Sequence, residues 1–303
     1  MQQENKNDVS QSKLGVYYAL GAFTLWGFLP LFWKMLSAFS AGEILANRMI
    51  WSAVFVVVLL YRRNQLHDVK RIFQDPKKLG LVVLSAIIIS ANWFIYIWAV
   101  NSNHVLETSM GYYINPLIVI LMGTLLLKEK LNRLEVIAIV CAVAGVMIMT
   151  LQYGQVPWVS LALAVSFSLY GLCKKVVQID SLVALGVETL LLSPFALLYL
   201  IITRASFLNT VTQVSPLTVL LLTMTGVFTA LPLLWFAQAA KRVTLAVLGF
   251  SQYLSPTITL LLGIFLFRES FTVTHLLSFG SIWTGLLVFS YAQTRKLRAL
   301  HKI

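Results

Sequence analysis

Ten apolar runs, each close to 20 residues long and separated by short polar stretches, dominate this chain. A helix of about 20 apolar residues crosses the hydrocarbon core of a bilayer. In lipid, a helix or a closed barrel is needed to satisfy every backbone polar group. The alternation of a membrane barrel strand is missing, so the runs read as helices. They cover about Leu14–Phe32, Ile44–Tyr61, Leu79–Val100, Leu106–Leu127, Leu131–Leu151, Val156–Leu172, Leu182–Thr203, Leu217–Ala240, Leu245–Phe267 and Val273–Tyr291. The residues are 59% hydrophobic and 11% charged, with a mean hydropathy of +0.83. Soluble domains carry about 25% charge, so one soluble core is excluded. Ten spans use about 200 residues and leave no room for a separate soluble domain of ordinary size.

The charge places the loops. The net charge is +12, and the basic residues sit between apolar runs, which argues for membrane topology rather than nucleic acid. With the N-terminus inside, nineteen of the 23 Lys and Arg fall on the cytoplasmic side, among them Lys174, Lys175, Lys241 and Arg242. Lys34, Arg204 and Arg268 fall outside, and Arg48 lies within a span. This bias predicts that both termini are cytoplasmic. Residues 1–13 then form a polar tail, 292–303 a basic one, and Arg62–Lys78 the longest polar loop. The first apolar run is too long for a secretory signal and is expected to be retained. Cys141 and Cys173 lack metal-ligand spacing and suggest neither a disulfide framework nor a metal site.

The chain also repeats itself. A shift of 140 residues lays Tyr113-Ile114-Asn115-Pro116 over Tyr253-Leu254-Ser255-Pro256. The same shift lays Gly123 over Gly263, Lys128-Glu129 over Arg268-Glu269, and Gly145 over Gly285. A shift of 144 lays Phe23-Thr24-Leu25-Trp26-Gly27 over Phe167-Ser168-Leu169-Tyr170-Gly171. The repeats are 14–151 and 156–291, with five spans each. Five is odd, so the second copy enters the membrane the opposite way. The expected fold is an all-α polytopic membrane protein of ten helices in two inverted five-helix repeats. Inverted repeats are the architecture of many secondary transporters, because a fold and its inverse supply two states open to opposite sides. The competing reading is a duplication kept for packing.

Several stretches resemble one known family. They are Glu43-Ile44-Leu45-Ala46-Asn47-Arg48-Met49-Ile50-Trp51-Ser52, Asn92-Trp93-Phe94-Ile95-Tyr96-Ile97-Trp98-Ala99-Val100-Asn101, Gly111-Tyr112-Tyr113-Ile114-Asn115-Pro116-Leu117 and Leu248-Gly249-Phe250-Ser251-Gln252-Tyr253. The sequence, from about Leu14 to Tyr291, resembles RarD-type permeases in the EamA branch of the drug/metabolite transporter superfamily. The resemblance implies a ten-helix bundle with a central cavity lined by the third, fourth, eighth and ninth spans. It also implies export or exchange of small metabolites across a bacterial inner membrane. Relatives of this kind move amino acids, nucleotide sugars or quaternary ammonium drugs, so the resemblance leaves the substrate open.

In-span polar residues are the candidate site. Ionisable groups at membrane depth are expensive and mark pathways or partners. Arg48 and Glu188 lie at similar depths in the second and seventh spans and superpose at the shift of 140. They are expected to face the cavity from opposite ends, binding the carboxylate and amine of a zwitterion. The competing reading pairs Arg48 locally with Glu43. Ser85, Asn92 and Tyr96 share a helical face, as do Glu107, Gly111 and Asn115. Each stripe faces either substrate or a neighbouring helix. The candidate substrate-binding residues are Arg48, Asn92, Tyr96, Tyr113, Asn115, Glu188, Gln252 and Tyr253. Pro116 and Pro256 are candidate hinges, since a mid-span proline frees a carbonyl one turn back. Glu107 is a candidate gate near the outer mouth. The paired glycines serve close packing, and Lys128-Glu129 and Arg268-Glu269 cap span ends.

No HExxH, GxSxG or P-loop motif occurs, which argues against an enzyme or an ATP-driven pump. The expected function is secondary transport of small organic metabolites or drugs, with no cofactor. A channel, a structural membrane protein or an intramembrane enzyme is the alternative. The expected partners are a small-molecule substrate and the lipid bilayer, with a second copy of the chain as a further candidate and no nucleic acid.

Overall fold

The computed structural model describes residues 2–101, 105–154, 158–177, 179–266 and 273–300, and among these every regular element is a helix. In chain order they are α1 (Gln2–Lys34), α2 (Ala41–Arg62), α3 (Leu66–Gln74), α4 (Pro76–Asn101), α5 (Val105–Leu126), α6 (Arg133–Tyr153) and α7 (Trp158–Val176). Then follow α8 (Ser181–Ile202), α9 (Arg204–Gln213), α10 (Pro216–Arg242), α11 (Leu245–Gln252), α12 (Leu254–Phe265) and α13 (Val273–Leu300). Among the described residues, nine helical segments are long and apolar enough to cross a membrane. A tenth, Met110–Leu126 within α5, is apolar but shorter. The protein is therefore an all-α polytopic membrane protein.

Local chemistry sets the helix starts. Ser40 and Glu43 form a reciprocal capping box on α2, and Asn132 and Glu135 form one on α6. Asp180 accepts from the N–H groups of Leu182 and Val183 to open α8. Ser215 caps α10, with Pro216 at the first helical position. Gly154 ends α6 at φ +78°, a conformation that costs a side-chain-bearing residue.

The structure departs from the sequence reading in four places. The polar segments at both ends continue α1 and α13, which begin at Gln2 and reach Leu300. The polar loop Arg62–Lys78 holds α3, whose Val69 and Ile72 are buried. Those two apolar side chains are three apart on one face, a spacing that a count of polar residues hides. The ninth apolar run is broken at Tyr253 into α11 and α12, where the Tyr253 N–H turns back to the Phe250 carbonyl at 3.3 Å. Pro256 lacks an N–H for the Gln252 carbonyl, and its ring crowds that oxygen. Its counterpart Pro116 lies inside unbroken α5.

Packing joins the two halves of the chain throughout. α6 lies against α13, α2 against α8, and α5 against α11. α1 lies against α10 and α12, while α7 lies against α4 and α5. Glycines set the closest approaches. A Cβ at Gly145 would stand 2.5 Å from the Ser278 carbonyl, and one at Gly285 would stand 2.7 Å from the Ala138 carbonyl. A Cβ at Gly226 of α10 would stand 2.2 Å from the backbone of Trp51 on α2. Small residues let helices approach in this way where lipid supplies no hydrophobic drive between them.

One end of the bundle collects lysines. Lys175 donates to the carbonyls of Ala240 and Val243, and Lys241 donates to the Ile179 carbonyl. Arg242 bonds Gln11 of α1 at 3.0 Å. The Glu129 carboxylate accepts from the backbone N–H groups of Leu245 and Ala246 at 2.9 and 3.2 Å, so it caps α11 across the two halves. Lys175 lies 3.7 Å from the same carboxylate. These contacts gather the segments that the charge bias assigned to a single side.

Candidate functional site: the Arg48 chamber

The close approach at Gly226 brings the middle of α2 against the middle of α10. There the Ser52 hydroxyl donates to the Gly226 carbonyl at 3.1 Å. One turn along α2, Arg48 donates through Nε to the Thr229 hydroxyl at 2.9 Å. The Thr229 hydroxyl in turn donates to the Thr225 carbonyl at 2.7 Å, which fixes the acceptor in place. The guanidinium lies over Trp33 of α1 at 4.8 Å and Trp93 of α4 at 5.6 Å, both in the range of cation–π attraction. Tyr96 on α4 and Tyr112 on α5 lie near Arg48.

Side chains from α1, α2, α4, α5 and α10 thus converge on one cation. The ring of side chains around this cation is termed the Arg48 chamber. Tyr96 keeps 39% and Tyr112 53% of their surface accessible, and Arg48 is half-buried. Trp33, Tyr112 and Thr229 were not among the candidates read from the sequence. A tryptophan at a span end reads as interfacial belt, and a lone span threonine reads as a bond to its own helix. Tyr112 stands beside Tyr113 in a quoted motif, and only the fold separates their roles.

Glu188, also two turns into its helix, occupies a different setting. Its carboxylate accepts from Lys174 at 2.5 Å and from the Tyr170 hydroxyl at 3.3 Å, with both charged side chains 3% exposed. Lys174 is therefore an interior residue in the last turn of α7, rather than a loop lysine as its position beside Lys175 had suggested. A cavity of about 20 Å³, room for about one water, lies between the two charged loci. Tyr170, Glu188 and Thr189 line it from one side, and Ser52, Trp93 and Thr229 from the other. Beyond Glu188, Phe23, Trp26, Phe167, Tyr170 and Phe236 pack into a closed aromatic cluster, with Tyr170 stacked on Phe236.

The other candidates divide by partner. Asn92 spends its amide on α7, donating to the Leu163 carbonyl at 3.0 Å and the Ser166 hydroxyl at 2.9 Å. Asn115 accepts from the Ser168 hydroxyl at 3.0 Å. Tyr113 is buried, and its carbonyl accepts from the Tyr253 hydroxyl at 3.2 Å, which joins α5 to the break after α11. Gln252 is buried with its Nε2 unpartnered. Glu43 is held in its capping box and makes no ion pair with Arg48. The Glu107 side chain, with Arg268 and Glu269, lies outside the described residues. Among the described residues no three His, Cys, Asp or Glu side chains gather to hold a metal.

Comparison with known proteins places this architecture. A family model described as the EamA-like transporter family matches residues 13–151 and again 156–291. The "Uncharacterized transporter YojE" of Bacillus subtilis (strain 168) is 46% identical, over 96% of this chain and 98% of that protein. "Protein RarD" of Salmonella typhi is 40% identical over 95% of this chain and 100% of that protein. "Protein RarD" of Escherichia coli (strain K12) is 38% identical over 93% and 95%. A solved crystal structure of an 18% identical chain superposes with a TM-score of 0.68, covering 90% of this chain and 96% of that one. That likeness carries the fold alone.

Proposed function

Because this chain belongs to the EamA-like transporter family and is a multi-pass membrane transporter of RarD type, we propose that it carries small organic solutes by alternating access between two halves of inverted topology. The helix partners support the inversion. Exchanging the halves turns the α1–α10 pair into the α7–α4 pair, and returns α2–α8 and α6–α13 to themselves. A two-fold axis relating the halves produces this pattern, and five spans in each half put that axis in the membrane plane. The gathering of basic loops at one end supports ten spans with both termini cytoplasmic in a bacterial inner membrane. The repeats proposed here are 14–151 and 156–291. Export or exchange is the direction that the family resemblance favours.

One observation carries the mechanism. The shift of 140 pairs Arg48 with Glu188, Tyr96 with Phe236 and Tyr112 with Gln252. Tyr96 and Tyr112 are 39% and 53% accessible, whereas Phe236, Gln252 and Glu188 are 0%, 5% and 2% accessible. These exposures support one half of the pathway being open while its mate is sealed, the asymmetry a two-state carrier requires. The sealed half lies towards the basic end, so the chamber opens outward. Pro116 and the break before Pro256 are the proposed hinges, with Glu107 at the mouth. Tyr113, Tyr253, Asn92 and Asn115 hold the chamber walls, and Gln252 awaits the opposite state.

Cysteine labelling tests this. Tyr112→Cys and Gln252→Cys are each placed in a background lacking Cys141 and Cys173, then treated with a membrane-impermeant thiol reagent. Tyr112→Cys is expected to react from the outer face and Gln252→Cys from the inner face, with substrate changing the two rates in opposite directions. Reaction of both from one face, or parallel changes, refutes alternation. Saturable counterflow in proteoliposomes separates a carrier from a channel.

A further inference from the structure

We propose that the chamber selects an organic anion, with a carboxylate held by Arg48 and an apolar, preferably aromatic, body lying against Trp33, Trp93, Tyr96 and Tyr112; this rests on the carrier reading of the chamber. The argument begins with the guanidinium's unused edge. Nε is held by Thr229, and among the described residues neither Nη group of Arg48 has a hydrogen-bond partner. The Trp33 and Trp93 rings flank the guanidinium. What remains is a rigid pair of N–H donors, the geometry that carboxylates accept bidentately.

Charge balance points the same way. Lys174 neutralises Glu188, and Lys175 lies against Glu129. Among the described residues no Asp or Glu lies within ion-pair distance of Arg48, so no described carboxylate neutralises it. An interior cation without a counterion is costly, and an anionic solute supplies one. A zwitterion would need a free carboxylate for its amine, and among the described residues the in-span candidate, Glu188, is already occupied by Lys174 and Tyr170. A quaternary ammonium would need the two Trp faces, and Arg48 already covers them.

The test compares three probes with the same phenylpropyl body on the full-length protein: 3-phenylpropionate, its isostere 3-phenylpropionamide, and 3-phenylpropylamine. Binding is read by tryptophan fluorescence in detergent, and exchange by counterflow of labelled probe in proteoliposomes. The carboxylate is expected to bind at least about tenfold more tightly than the amide or amine. Arg48→Lys should lose about tenfold in carboxylate affinity, since a point charge does not reproduce the fork. Arg48→Gln should lose the carboxylate preference at an unchanged thermal midpoint. Equal binding of all three probes, no carboxylate binding, or a preference that survives Arg48→Gln overturns the assignment. The probe comparison in the unmodified protein decides the matter even where a variant fails to fold. Selective binding without exchange sustains the anion site and overturns the carrier reading instead.

Discussion

At the residue scale, Lys174, Glu188 and Arg48 divide into a pair and a single. The Lys174–Glu188 pair is satisfied, with Tyr170 closing the second carboxylate oxygen. Breaking such a pair strands a buried charge, which costs about 3–5 kcal/mol, while replacing both partners with apolar groups is often neutral. Glu188→Leu alone and Lys174→Met alone should therefore lower the thermal midpoint in mild detergent, and the double variant should recover most of the loss. A double variant as unstable as the sum of the singles would mean that the two residues act independently. Arg48 and Glu188 were both legible in the sequence as costly in-span charges. Their different roles were not, because Lys174 sits beside Lys175 and reads as a loop residue. The partner of a charge is a matter of which helices touch.

At the element scale, caps and breaks decide how the helices can move. The start of α11 has its first two N–H groups satisfied by a carboxylate from the other half of the chain. Loss of a cap costs about 0.5–2 kcal/mol, and a negative group at a helix N-terminus adds to it. Glu129→Ala should thus weaken the contact between α5 and α11 at the basic end. The expected readout is faster inner-face labelling of Gln252→Cys, with outer-face labelling of Tyr112→Cys slowed. If inner-face labelling stays unchanged, the cap does not hold the sealed half closed. The sequence marked Lys128-Glu129 as capping a span end, and Glu129 does cap one, but the end belongs to another helix. The break at Tyr253 was foreshadowed by Pro256, yet Pro116 in the same motif leaves α5 whole. A proline removes one bond and crowds one carbonyl. Whether the helix then breaks depends on what packs around it, and here the backbone at Gly249 lies close against the Pro116 carbonyl.

At the scale of the whole molecule, the pairing of α6 with α13 is the simplest expression of the duplication. Gly145 and Gly285, one repeat apart, each admit the backbone of the other helix. Gly145→Leu and Gly285→Leu should destabilise the protein to a similar degree, read as matched falls in thermal midpoint, because each side chain meets a carbonyl below van der Waals distance. A large difference between the two would show that the contact is not equivalent in the two halves.

The apolar runs, the charge bias and the motif repeat are properties of the chain read in order. They determined a polytopic helical membrane protein, its family resemblance, and the list of in-span polar residues. Lipid makes these signals legible, because each span must satisfy its backbone internally and each misplaced charge is costly. Only the tertiary structure decided which polar groups are spent on one another. Asn92 and Asn115 turned out to hold α7, Glu188 to hold Lys174, and Arg48 to stand among aromatics drawn from three other helices. A polar side chain in lipid must find a partner, and sequence states the need without naming who meets it.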